Sequence, residues 1–198
     1  MRRFVLSIIL TTMFSLLCVG QVYAGDLPVD DVETIRMLIV QPDVDMSVFD
    51  GRQLCTALID IIDNYDGDLR DKYVKAALGW LRVTEDERSV EYLVEYLDEF
   101  PMNCLHGLGH FSTVESVNAL KGYLDDDDEF NRRFAAESLV MLDYTVSDEM
   151  WVLRDECIDL LKERYRLEEQ DWILPVIDES IVKIESQTRD EENASFGK

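Results

Sequence analysis

The chain has 198 residues, 47% hydrophobic and 31% charged, with only 9 glycines and 4 prolines, which is a globular and not a disordered or collagen-like composition. Its formal net charge of −23 excludes nucleic acid as a partner, because polyanion binding draws its affinity from Lys and Arg neutralising phosphates. The same excess of acids excludes docking on anionic lipid.

In chain order, the first element is an export signal. Arg2 and Arg3 precede an apolar run from Phe4 to Gly20, and Val22-Tyr23-Ala24 supplies the small residues that precede a cleavage point. Residues 1–24 are therefore read as a signal peptide. Residues 25–186 are read as one domain, and residues 187–198 as a flexible C-terminal tail. Cleavage removes two cations and no acids, so the mature chain is more acidic still. The expected location is periplasmic if the source is a Gram-negative bacterium and secreted otherwise, with no membrane attachment after cleavage. Three cysteines then remain, Cys55, Cys104 and Cys157, an odd number that allows at most one internal bridge. Each sits within an apolar helical pattern, which predicts three buried small hydrophobes.

Helical periodicity runs from residue 29 onward. Leu54, Cys55, Leu58, Ile59, Ile62 and Tyr65 form one stripe at 3.6-residue spacing. Tyr73, Ala77, Trp80 and Leu81 form the next. Val90, Leu93, Val94 and Leu97 follow, then Phe130, Phe134, Leu139 and Leu142, then Leu153, Cys157, Leu160 and Leu161. No segment alternates strictly between apolar and polar residues, so no sheet is expected. Helix starts are marked by capping boxes at Thr84-Glu85-Asp86-Glu87 and Ser112-Thr113-Val114-Glu115. Ser147 with Asp148 and Glu149 marks another, and Asp171 ahead of Pro175 marks the last.

The pattern repeats. Ala77-Leu78-Gly79-Trp80-Leu81 aligns with Gly107-Leu108-Gly109-His110-Phe111 and with Ser138-Leu139-Val140-Met141-Leu142, at a period of roughly 30 residues. A second helix follows each, over residues 89–99, 113–124 and 148–165. Residues 29–65 are read as a degenerate first hairpin and 171–186 as a closing helix. Stacked helical hairpins bury faces that no single hairpin could bury alone.

These residues resemble the HEAT-like repeats, particularly the short type found in phycobilisome lyases. The unit from Leu120 to Leu139, with its acidic turn, Arg132-Arg133 and Ala135-Ala136, carries the closest likeness. Asp71 to Gly79 carries a second, with lysine where arginine is usual, and Met102 to Phe111 departs from it. The resemblance covers roughly residues 69–165. It implies an all-α fold, a short right-handed α-solenoid of stacked hairpins, and says little about function.

Several side-chain groups have the character of sites. His106 and His110 lie one helical turn apart, a spacing that suits two ligands on one metal. The His-Glu pairs of the HEAT-like iron hydroxylases are not present beside them. Asp125, Asp126, Asp127, Asp128 and Glu129 form an acidic run without the spacing or turn glycine of an EF-hand, so it reads as a solvated turn before a helix N-terminus. No catalytic, cofactor-binding or metal-binding residue is assigned. On the second helices, Tyr92, Glu95, Tyr96, Glu99, Glu115, Asp155 and Asp159 fall opposite the apolar stripes. They predict an acidic face with exposed tyrosines, suited to a protein or peptide with a basic surface. The expected function is a non-enzymatic interaction module or scaffold. The alternative is a lyase-like or metal-dependent HEAT-like enzyme.

Overall fold

A computed structural model describes residues 32–188 apart from Pro42. The signal segment 1–24 and the end of the tail lie outside the described residues. The described residues contain nine α-helices, a short 3-10 turn and no strand. The chain is all-helical, as the periodicity predicts.

The helices are α1 (Val32–Leu38), α2 (Gly51–Asn64), α3 (Arg70–Leu81), α4 (Arg88–Glu95), α5 (Pro101–Leu108), α6 (Val114–Gly122), α7 (Glu129–Met141), α8 (Asp148–Leu167) and α9 (Leu174–Glu185). The 3-10 turn, Met46–Val48, lies between α1 and α2. From α3 onward each odd helix packs on the next odd one: α3 on α5, α5 on α7, α7 on α9. The even helices do the same, α2 on α4, α4 on α6 and α6 on α8. The pairs α2–α3, α4–α5, α6–α7 and α8–α9 also touch, so the two rows share one core.

That core is built from the stripes. Leu54, Leu58 and Ile62 of α2, Ala77 and Leu81 of α3, Leu93 of α4, and Leu153, Cys157 and Leu161 of α8 are all buried. Small residues let the odd helices approach closely. A Cβ added to Gly109 would lie 3.0–3.1 Å from Ser138, and Ser138, Ala135 and Ala136 are buried on the facing helix. Long-range hydrogen bonds tie the ends of the fold to its middle. Trp80 Nε1 donates to the Ile39 carbonyl at 3.0 Å, and Arg154 donates to the carbonyls of Ile184 and Glu185 at the C-terminal end of α9. A cation there suits both the orphan carbonyls and the helix dipole.

Local expectations fare unevenly. Ser147 caps α8 as expected, its Oγ accepting from the Met150 N–H with Asp148 and Glu149 in the first turn. The Ser112 box is shifted by one residue: Thr113 is the cap and accepts from the Ser116 N–H. The Thr84 box does not form. Thr84 is buried, donates to the Leu81 carbonyl and shares a 2.7 Å bond with Ser89, while Glu85 turns the chain with φ 54°. Its hydroxyl is therefore engaged away from Glu87, and α4 starts without a side-chain cap. Asp171 does not cap α9 either, since Ile173 holds that position and Pro175 lies in the first turn. Helix α4 stops at Glu95, short of the expected 99, with Tyr96 as its C-cap, and Pro101 opens α5. Phe130, expected in the core, is 51% exposed, since it stands in the first turn of α7, where its ring lies against the exposed Trp172. Gln187 is not free as a tail residue would be. Its amide donates to the Leu142 carbonyl and accepts from the Tyr144 N–H.

Candidate functional site

The four turns that lead from an even helix to the next odd one carry much of the acidity: Asp66 and Asp68, then Asp98 and Glu99, then Asp125 to Asp128, then Glu168, Glu169 and Asp171. Cross-links between them place successive turns beside one another. Arg70, at the start of α3, lies 3.6 Å from Glu99. Tyr123 donates to Asp98 at 2.7 Å. Arg164 reaches Asp125 at 3.3 Å, and Arg132 binds Glu168. The acids of separate turns thus form one edge.

The best-defined part of this edge lies between the α6–α7 and α8–α9 turns. Two of its carboxylates organise the backbone. Asp126 accepts from the Asp128 N–H at 2.8 Å, and Asp128 caps α7 by accepting from the Phe130 N–H at 2.8 Å. Arg132 donates from Nη1 to the carbonyls of Asp126 and Asp127, which locks the turn onto its own helix. The other arms of Arg132, Nε and Nη2, each donate at 2.9 Å to the Glu168 carboxylate. Those hydrogen bonds hold the Glu168 carboxyl at about 2, well below its ordinary value, against the opposing effect of burial. The Gln170 N–H and Arg164 add to the same stabilisation of the ionised form.

Between the two turns runs an open groove of about 620 Å³, lined among others by Asp125, Asp127, Phe130, Leu167 and Glu169. Leu167 is 57% exposed. Phe130 packs against Trp172 of the facing turn with ring centroids 5.4 Å apart, and Trp172 in turn carries Arg133 over its ring at 5.5 Å. The cations inside the groove, Arg132 and Arg164, are engaged by Glu168, Asp125 and backbone carbonyls. The other charged side chains that line the groove are all acidic.

The residues expected to form a binding face are only partly brought to this edge. Tyr96 and Glu99 belong to the α4–α5 turn and lie on it. Glu95 is exposed on α4, Glu115 is exposed in the first turn of α6, and Asp155 and Asp159 are exposed along α8, where Arg154 contacts Asp155. The tyrosines are half-buried, not fully exposed. Tyr92 is half-buried and donates to Asp63 of α2 at 2.9 Å, a bond that pushes its phenol up to about 12. Tyr96 is half-buried and stacks on Phe100 at 6.5 Å, with burial raising its pKa. Tyr92 thus bridges to a neighbouring helix and Tyr96 packs within its own turn, contacts that 100° steps along one helix do not include.

His106 of α5 and His110, two residues beyond its end, lie with ring centroids 5.3 Å apart in an edge-to-face contact. Burial lowers the pKa of both. Among the described residues, no group of three or more His, Cys, Asp or Glu is arranged to hold a metal ion. Cys55, Cys104 and Cys157 are free and buried on three different helices. Burial raises all three thiols, Cys104 to about 12, which is the opposite of what a nucleophile requires.

The signal that sequence reading passed over was the position of the acids relative to the helices: every even-to-odd turn contains at least two. No family model, curated protein or solved structure matches this chain. Among the described residues, no helix is long and apolar enough to cross a membrane.

Proposed function

We propose that the protein is an exported, acidic, HEAT-like repeat protein, a short right-handed α-solenoid, that acts without catalysis as a scaffold for a protein partner with a basic surface. The packing of odd helices on odd and even on even, at a period of roughly 30 residues, favours stacked hairpins over helices gathered round one centre. The signal-like start at Met1 to Ala24 favours export, to the periplasm in a Gram-negative source and otherwise to the outside.

The observation that carries the interaction reading is the alignment of acidic turns along one edge, through Arg70–Glu99, Tyr123–Asp98 and Arg132–Glu168. Such a row of like charge steers a cationic partner and repels an anionic one. Its binding should weaken steeply with ionic strength, because exposed charges are screened within a Debye length of about 10 Å at ~0.1 M salt.

The test is association of the mature protein with basic peptides at low and high salt, beside a variant carrying Asp125→Asn, Asp127→Asn and Glu169→Gln. Binding that is indifferent to both salt and charge removal overturns the reading. The N-terminal sequence of the exported form should begin at Gly25.

A further inference from the structure

The edge is acidic along its length, and at one part of it three large apolar side chains gather. Phe130, Leu167 and Trp172 are exposed by 51%, 57% and 38%, although each is large and hydrophobic. They come from three different elements, and Phe130 and Trp172 are already in contact. Phe130 and Leu167 line the groove between the α6–α7 and α8–α9 turns, whose rims carry Asp125, Asp127 and Glu169. Water-exposed aromatic surface set inside a rim of charge is the arrangement of a docking site, where the apolar centre supplies affinity and the rim supplies selection.

The charge of the rim fixes the chemistry of the occupant. Arg132 and Arg164 cannot answer an anion, because Glu168 already occupies both and has no exposed side-chain surface. Asp127 and Glu169 are exposed, as is Asp125 beside Arg164. An acidic ligand would meet like charge on both sides. A cationic one would be attracted by both turns at once.

We infer that this groove seats an extended protein segment in which Lys or Arg residues flank an apolar or aromatic side chain, the apolar residue packing on Phe130 and Leu167 and the cations meeting Asp125, Asp127 and Glu169. The inference rests on the proposed scaffold function and narrows it from an acidic edge to one groove and one kind of segment. The occupant is extended because the groove is an open cleft between two turns. The walls are preset: Asp128 fixes the start of α7, and the Arg132–Glu168 pair fixes the spacing of the two turns.

The experiment uses the mature chain and three synthetic ten-residue peptides: one alternating Lys with Leu and Phe, one in which Ser replaces the apolar residues, and one in which Glu replaces the Lys. Calorimetry should show the first binding at least tenfold more tightly than the second, and the third not binding. Phe130→Ser and Leu167→Ser, both at exposed positions, should each weaken the first peptide about tenfold, the loss that one or two kcal/mol of anchor contact produces. They should leave the second peptide unchanged. If the first two peptides bind equally, or if neither serine variant weakens the first, the groove is not the seat and only the general acidic-edge reading survives. If no basic peptide binds at low salt, both readings fall.

Discussion

Arg132 and Glu168 stand 36 residues apart in the chain and meet in two parallel hydrogen bonds of 2.9 Å, with no side-chain surface of Glu168 left exposed. This fork joins the turn before α7 to the turn after α8. Around it the remaining groups are nearly satisfied: Arg132 also holds two carbonyls, and Glu168 also takes the Gln170 N–H.

Breaking the fork on one side strands a buried charge. Glu168→Gln should cost about 3–5 kcal/mol, the usual loss when one member of a buried pair is removed. Denaturant titration followed by circular dichroism measures it, and a loss below about 1 kcal/mol would show that the pair contributes little.

The same carboxyl gives a pH dependence. Its folded pKa of about 2 lies below the ordinary 4.5, so the unfolded chain binds the proton more readily. The stabilisation is complete above about 4.5 and is lost as pH falls toward about 2. Melting temperature should therefore fall on acidification through this window, and the fall should be shallower in Glu168→Gln.

Two glycines predict opposite outcomes for one substitution. A Cβ on Gly51 would sit 2.0 Å from the backbone carbonyl oxygen of the buried Thr84. Gly51→Ala should destabilise by about 1–3 kcal/mol despite the better helix propensity of alanine. Gly122 meets nothing within 4 Å, so Gly122→Ala should stabilise by about 0.5 kcal/mol. Paired thermal melts decide both signs.

The three thiols should be silent in the native protein. Cys55, Cys104 and Cys157 are each fully buried, and burial raises their pKa values. An aromatic disulfide reagent at mildly alkaline pH should label them only after denaturation. Rapid labelling of the native chain would contradict the packing.

Gln187 closes the fold at its C-terminal end. Gln187→Ala removes a donor to Leu142 and an acceptor from Tyr144, next to a tyrosine with no exposed surface. A loss of about 1–3 kcal/mol is expected from the two backbone groups left without partners. Truncation after Gln187 should cost much less than truncation before it.

Ser147, the stripes of α2 and α8, and the three buried cysteines were legible because each depends on neighbours within a turn or two of helix. Thr84 misled because the same hydroxyl had a competing partner, Ser89, on the helix that follows the turn. Tyr92 and Tyr96 misled for a related reason. A helical wheel places a side chain opposite its own stripe, yet Asp63 of α2 and Phe100 beyond α4 fill that side. Phe130 counted as core by spacing alone, and only the position of the preceding turn shows why it stays in solvent.

Helix, the roughly 30-residue rhythm and the surplus of acid are written into the chain, since periodicity, caps and charge are local properties that survive any arrangement of the elements. Which acids stand together is not. Asp98 meets Tyr123, Asp125 meets Arg164, and Glu168 meets Arg132 only after even helices have packed on even and odd on odd. That packing depends on small residues such as Gly109 and Ser138 letting backbones approach, a contact between segments distant in sequence. Helix-on-helix packing thus turns a diffuse negative charge into an edge, and a phenylalanine expected in the core into the wall of a groove.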